Sequence, residues 1–556
     1  MTTRRAVLAA AAALGAAGCE RARPLQGGWL GASEARGHAL RDGRWTASPA
    51  QAGEPQRCSV AIVGAGVAGL AAARALVRHG MDDFRIFDLE DEPGGNARGH
   101  TMGGVACPLG AHYLPLPGPA AWEVSEWLHE IGVARRRFGR TEYDERHLCH
   151  APQERLFVPG REGGGGGGQW LPGLMPAHST QGLLRAQARR FAAEVRRHQL
   201  AGSFAMPTLR APWTDELAAL DAQPFAAWLA AHGYTEASLL WHLDYCCRDD
   251  YGAGSAQVSA WAGLHYFASR HGFRLPGPDD MGADEGDDSD GVLTWPEGNA
   301  WLTRRLAAGL GDRLRTGTGV TRISPDKHGV SLATWHAATQ QPQRWRVQQV
   351  LLCLPLHVAV RLVDPPPAAL AAAAARVPHA SWLVSNLQLK APLLERLGPP
   401  MAWDNVLAGR ADPGLPPALG YVNATHQSLA SRPRAPVLTH YWALGGDTPQ
   451  QALQWRRALL DRPWQAWAQH VLADLARAHP DLPGKLERIE LMRYGHAMGV
   501  PVPGVRRDVA TGALAALARP LDRLHFAHAD LSGYSVFEEA FTRGMLAGKQ
   551  AAARGG

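Results

Sequence analysis

A short apolar run, Val60-Ala61-Ile62-Val63, ends in Gly64, and Gly66 and Gly69 follow at the spacing G-x-G-x-x-G. Few folds accept this pattern. Gly64 lets the chain turn sharply off a strand, Gly66 lets the backbone approach a pyrophosphate, and Gly69 lets the next helix pack close to the strand. Apolar residues at helical spacing run from Val67 to His79, where Gly80 stops them. Phe84 to Asp88 reads as a second strand, so about 30 residues form a right-handed βαβ unit in a parallel sheet. The helix start offers free amides and partial positive charge to a dianionic pyrophosphate, and Asp88 can accept hydrogen bonds from both ribose hydroxyls. An acid there disfavours a ribose bearing a 2′-phosphate, but it does not separate FAD from NAD.

With 556 residues the chain has room for two interlocked cores. Its 46% hydrophobic and 19% charged residues are those of an ordinary globular protein. The net charge of +6 arises from arginine in a chain with only Lys327, Lys390, Lys485 and Lys549. No basic stripe interleaved with aromatics marks a nucleic-acid surface. At the amino terminus, Arg4-Arg5, an Ala/Leu/Val run to Leu14 and Gly18-Cys19 have the layout of an export signal over residues 1–19. The arginine pair resembles a twin-arginine signal, and Cys19 resembles a lipobox cysteine. A periplasmic or cell-envelope protein is expected, with any membrane attachment through a lipid on Cys19. Residues 20–57 show no apolar periodicity and read as a linker. The other cysteines, Cys58, Cys107, Cys149, Cys246, Cys247 and Cys353, form no C-x-x-C and read as buried free thiols, and no metal-ligand spacing is present.

Beyond His112 helical stretches such as 121–131, 181–198 and 224–232 alternate with loops, including the glycine run Gly163 to Gly168 and the acidic segment Asp279 to Asp290. β-like patterns return at 317–324 and 347–354, then at 382–389 and 437–442. A strand at 524–527 and a helix over 537–553 close the chain.

Phe87-Asp88-Leu89-Glu90-Asp91-Glu92-Pro93-Gly94-Gly95 is similar to the segment after the second strand in the flavin-containing amine oxidase superfamily, which includes phytoene desaturases and protoporphyrinogen oxidases. Gly110-Ala111-His112-Tyr113, Val320-Thr321-Arg322-Ile323, the strand ending Leu351 to Pro355, and Leu524 to Asp530 with Glu538-Glu539-Ala540 resemble further motifs of that family. The resemblance implies FAD as cofactor. It implies an α/β fold: a discontinuous Rossmann-like FAD-binding domain (58–112, 292–365, 520–556) with an inserted α+β substrate domain (113–291, 366–519). It implies cofactor contacts from Gly64, Gly66, Gly69, Asp88, Gly95, Asn96, Arg98, Gly110, Ala111, His112, Val320, Asp530, Glu538 and Ala540. Asp530 would meet the ribityl or pyrophosphate portion, and the helix starting near Phe537 would point its amides at the flavin ring.

Aromatic walls beside a flavin exclude water, and Trp295, Trp442, Tyr494 and Tyr534 are the candidates for a substrate pocket. Three departures stand out: Asn96 replaces an arginine, His528 and Glu539 replace glycines, and the lysine often found near Trp382 is absent, with Lys390 lying several residues later. Outside the glycine run Gly163 to Gly168, no second G-x-G-x-x-G is present. The expected activity is removal of a hydride from a small organic substrate, with oxygen or another electron acceptor. An amine or polyamine oxidase leads, ahead of a desaturase or protoporphyrinogen-oxidase-like enzyme and of a non-catalytic flavin-binding protein. No residue is assigned as catalytic.

Overall fold

The computed structural model describes residues 24–45, 53–160, 167–175, 182–273, 291–428 and 436–555. The export signal with Cys19, the acidic segment 279–290 and most of the glycine run therefore lie outside the described residues. The strand Gln56–Val63 has Val60, Ala61 and Ile62 with no exposed surface, as expected of a strand covered on both faces. It leads through Gly64 into the helix Val67–Arg78 and on to the strand Phe84–Phe87, paired parallel with it. His79 caps that helix and Gly80 leaves it at φ +76°.

A seven-stranded sheet grows from this unit in the order Leu314–Arg315, Phe84–Phe87, Gln56–Val63, Gln341–Leu352, Gly329–His336, Thr318–Asp326. The last three are antiparallel neighbours, while Leu524–Phe526 joins Gln341–Leu352 in parallel. Chain segments more than 400 residues apart thus share one sheet. The closing helix Phe537–Gly555 lies on Val67–Arg78 with almost no space between their backbones. A Cβ at Gly544 would stand 2.1 Å from the Ala68 carbonyl oxygen, and one at Gly548 2.5 Å from that of Ala72. Small residues at one helical spacing on both partners make that approach feasible.

A second, eight-stranded sheet runs Gly27–Leu30, Leu486–Gly499, His379–Leu389, Val437–Ala443, Gly420–Asn423, Asp404–Leu407, Glu154–Val158, Gln169–Pro172. One face packs on a helical layer that includes Ala237–Tyr251 and Ala260–Tyr266, through residues such as Trp382, Val384 and Tyr441. The other face packs on the helix Trp464–Ala476, through Leu383, Leu387 and Trp442.

Part of the expected linker is structured. Gly27–Leu30 pairs in parallel with Ile489–Met492, and Glu34–Arg41 is a helix capped by the Ser33 side chain. Ion pairs from Glu34 to Arg493 and from Arg36 to Asp91 pin the segment to both sheets. A four-residue strand and a largely polar helix leave no periodic apolar signal, so pairing and charge rather than hydrophobic pattern hold this segment. The six described cysteines are buried and unbridged. Among the described residues no helix is long and apolar enough to cross a membrane.

The helix contact at the glycines sets a prediction. Gly544→Val forces a branched side chain into the Ala68 carbonyl, and thermal unfolding should register a loss on the order of 3 kcal/mol. Gly484→Val, at a position with open space around its Cα, should leave the melting temperature nearly unchanged.

Candidate active site

A cavity of about 470 Å³ is lined by residues of both sheets. At one end Gly64, Gly66, Val67, Gly94 and Gly95 form its wall. The helix Val67–Arg78 begins there at Gly66 with no side-chain cap, so its first amides point at the cavity unsatisfied by protein side chains. The glycines are sterically required. A Cβ at Gly64, where φ is +101°, would lie 2.5 Å from the Cys353 carbonyl oxygen, and one at Gly69 would lie 1.9 Å from that of Gly64. Uncapped amides above bare backbone suit a diphosphate.

Asp88 lines the same end, accepting hydrogen bonds from the Ala65 and Glu90 amides at 2.7 and 2.9 Å. Each carboxylate oxygen keeps a lone pair for a ribose hydroxyl. Burial pushes this carboxyl above its ordinary range, with the two amides opposing the shift. Gly319 and Val320 close this end of the cavity.

Further along, Asn96, Gly110, Ala111, His112, Tyr494 and Ala540 join the lining. Asn96 donates its Nδ2 to the Ala497 carbonyl at 2.7 Å, Tyr494 its hydroxyl to Leu109 at 2.7 Å, and Tyr441 its hydroxyl to Gly110 at 2.9 Å. The strand from Tyr494 is thereby tied to the loop around Gly110. The His112 ring stacks on Tyr441 at 4.4 Å and lies 5.4 Å from Trp403. Burial pulls the His112 imidazole down to about 3, which leaves it neutral.

The far end of the cavity is acidic. Asp249 and Asp250, near the end of the helix Ala237–Tyr251, line it together with Tyr113 and Arg270. Arg270 is committed to Asp250 and to Glu538, the latter at 3.2 Å. Asp249 instead accepts a hydrogen bond from the Tyr113 hydroxyl at 3.3 Å. Burial first, then the neighbouring Asp250 charge, pushes its carboxyl up to about 7. Asp404 and Glu154 lie near enough to add to the repulsion. Burial raises Asp404 well above the usual range and Glu154 to about 7. The enclosed acids around Arg270 outnumber its single charge.

Several sequence candidates sit elsewhere. Trp442 points to the opposite face of its strand from Tyr441, as the strand's alternation requires, and donates Nε1 to Pro416 at 2.8 Å. Trp295 stacks on Trp301 at 4.8 Å and donates to His147. Tyr534 is buried against Tyr251 and His265. Gly69 acts only by close packing. Arg98 turns its guanidinium to the Gly95 carbonyl at 3.1 Å and to Glu90 at 3.5 Å, away from the lining. Glu538 neutralises Arg270. Asp530 has no exposed surface and bonds the Leu356 amide at 2.9 Å and His379 Nε2 at 3.0 Å, so it stands behind the wall. Glu539 accepts from the Thr208 amide and the Ser532 hydroxyl and also faces away, whereas His528 lines the cavity. Trp382 and Val384 line it where the family's lysine was sought, and Lys390 is exposed at the end of that strand.

The sequence reading missed Asp249, Arg270, Tyr441 and Trp403. Asp249-Asp250 held the one usable signal, two adjacent acids near the end of a largely buried helix.

An α/β dinucleotide fold whose uncapped helix faces a cavity walled by aromatic rings defines a flavoprotein of the oxidoreductase class. The family model for flavin-containing amine oxidoreductases matches residues 67–554, so the chain belongs to that family, and its cofactor is FAD. A tryptophan 2-monooxygenase of Allorhizobium ampelinum is 36% identical over 14% of this chain. A Mycobacterium tuberculosis protein assigned as a flavin-containing monoamine oxidase is 26% identical over 56% of it. These matches span 11% and 60% of the two relatives' own lengths. Among solved structures, a putrescine oxidase bound to putrescine superposes with a TM-score of 0.60 at 17% identity, covering 90% of this chain and 99% of that one. The cyclohexylamine oxidase of Brevibacterium oxydans gives 0.60 at 19%, covering 89% and 99%, and a fatty acid isomerase of P. acnes 0.59 at 19%, covering 88% and 97%. At these identities the likeness is one of fold.

The cavity's glycine end and Asp88 fit FAD, which yields a test. Asp88→Ala should weaken FAD retention on the order of 10- to 100-fold, measured by flavin fluorescence on equilibrium dilution, because a ribose hydroxyl loses its charged partner.

Proposed function

We propose that this protein oxidises a small cationic amine at FAD, with a diamine or polyamine as the favoured substrate. One observation carries the reading: Asp249 is an enclosed carboxylate in the cofactor's own cavity, and among the described residues its only side-chain hydrogen-bond donor is Tyr113. A buried carboxylate without a cation is costly, and an ammonium group supplies the missing charge. Beyond it lie the enclosed acids Asp404 and Glu154, whose carboxyls burial raises and which a second ammonium on the same molecule would draw into the ionised form. Putrescine oxidase and cyclohexylamine oxidase share the fold, which supports the amine class.

FAD supplies the two-electron acceptor. Gly64, Gly66 and the amides following Gly66 would hold its diphosphate and Asp88 its ribose. Trp382, Val384, Tyr441 and Tyr494 exclude water from the reacting end. Asp249 holds the substrate ammonium and takes its proton, so that nitrogen presents a lone pair. His112, neutral and stacked on Tyr441, shapes the wall without adding a repelling charge. The final acceptor is proposed to be oxygen or another small oxidant. The paired arginines and Cys19 support export to the cell envelope with a lipid tether, the amino-terminal residues serving as address.

Binding the ammonium requires ionised Asp249. Its carboxyl is raised to about 7, so kcat/KM for a diamine should rise with pH through 7 as the carboxylate forms. Asp249→Asn should remove that limb and lower kcat/KM at pH 8 on the order of 100-fold. Flavin reduction rates across pH 5.5 to 8.5, a span of about 1.5 pH units either side of the raised value, would check this. A limb that persists in the variant would rule out Asp249 as the cation site.

A further inference from the structure

At one wall of the cavity four imidazoles cluster near the buried Asp530, three of them, His379, His496 and His528, lining it. His357 follows directly on the loop at Leu354-Pro355, His379 begins a strand of the large sheet, His496 lies near the end of its neighbour, and His528 precedes the closing helix. The ring centroids of His357 lie 4.8 Å from His379 and 4.6 Å from His496. One donor atom from each of His357, His379 and Asp530 falls within 4.8 Å of the other two.

The protein's own hydrogen bonds leave this cluster incompletely matched. His357 Nδ1 is buried and has no hydrogen-bond partner among the described residues. His528 Nδ1 accepts the Asp530 backbone N–H at 3.1 Å and lies 3.2 Å from Asp530 Oδ1. His379 Nε2 is 3.0 Å from the same oxygen. Neighbouring ligands on one tetrahedral ion with bonds of about 2.0–2.1 Å sit about 3.3 Å apart, close to these separations. A cation among these atoms would bind the unpartnered His357 nitrogen and the lone pairs of the Asp530 carboxylate.

The geometry points to a divalent transition-metal site of the zinc class, with His357, His379 and Asp530 as protein ligands. Two imidazoles and a carboxylate are a borderline-hard donor set that suits zinc and its neighbours and disfavours calcium or magnesium. A fourth position is left for water. His357 and Asp530 do not line the cofactor cavity while His379 and His528 do, so the ion would lie behind the wall, leaving the glycine end free. An ion there would fix the loop after Leu354-Pro355, the large sheet and the start of the closing helix to one another.

The site is tested on full-length, FAD-loaded protein, stripped with a chelator and dialysed against Zn²⁺ or Co²⁺. Elemental analysis after gel filtration should find one zinc per chain, and cobalt should give the visible bands of a four-coordinate site. His357→Ala should lose the retained metal while keeping wild-type flavin absorbance, which shows the chain is folded. His357→Cys should restore cobalt binding with an added thiolate charge-transfer band. Metal retained by wild type no better than by His357→Ala would overturn the assignment. So would displacement of bound cobalt in proportion to FAD loading, since the cluster would then belong to the cofactor's contacts.

Discussion

The backbones of two helices, Val67–Arg78 and Phe537–Gly555, touch at Gly544 and Gly548, and the cofactor end of the molecule depends on that contact. It seats the closing helix so that Phe537 and Ala540 reach the cavity opposite the uncapped start of the first helix. The parallel strand Leu524–Phe526 delivers the chain to that place beside Gln341–Leu352. One close approach thus joins the two ends of the chain and defines the space between them. A residue larger than glycine would part the helices and open the site to solvent.

At the other end of the cavity electrostatics replaces packing as the governing constraint. Arg270 is balanced by Asp250 and Glu538, which leaves Asp249 enclosed with a tyrosine hydroxyl for company. The molecule keeps this arrangement at a cost in stability, since enclosed carboxylates disfavour folding unless something cationic arrives. Aromatic walls and a neutral His112 sharpen the effect by lowering the local dielectric. Among the described residues no lysine lines the cavity beside Trp382, a departure from the amine oxidases of the family.

How much of this the sequence reveals follows the range of each interaction. The glycine fingerprint, Asp88 and the two strands around it act within about 30 residues, and their spacing is legible. The closing motif around Asp530 is legible as a segment but not as a contact: burial and partnering with Leu356 and His379 turn its carboxylate away from the cavity. Trp442 and Tyr441 show the limit within a strand, where one residue of register decides which ring faces the cavity. Residues 27–41 carry no apolar period because an edge strand and ion pairs hold them. Asp249 shows in the sequence only as one of two adjacent acids, because its meaning comes from Tyr113, Asp404 and Glu154, far away in the chain.

The account centres on a cationic amine giving its electrons to FAD beside Asp249. Anaerobic mixing of the FAD-loaded protein with a panel of diamines, monoamines, lipophilic polyenes and a porphyrinogen tests this most directly, with flavin absorbance as the readout. The account predicts rapid bleaching by diamines, slower bleaching by monoamines and none by the uncharged compounds. Bleaching by the polyenes or the porphyrinogen alone would contradict it.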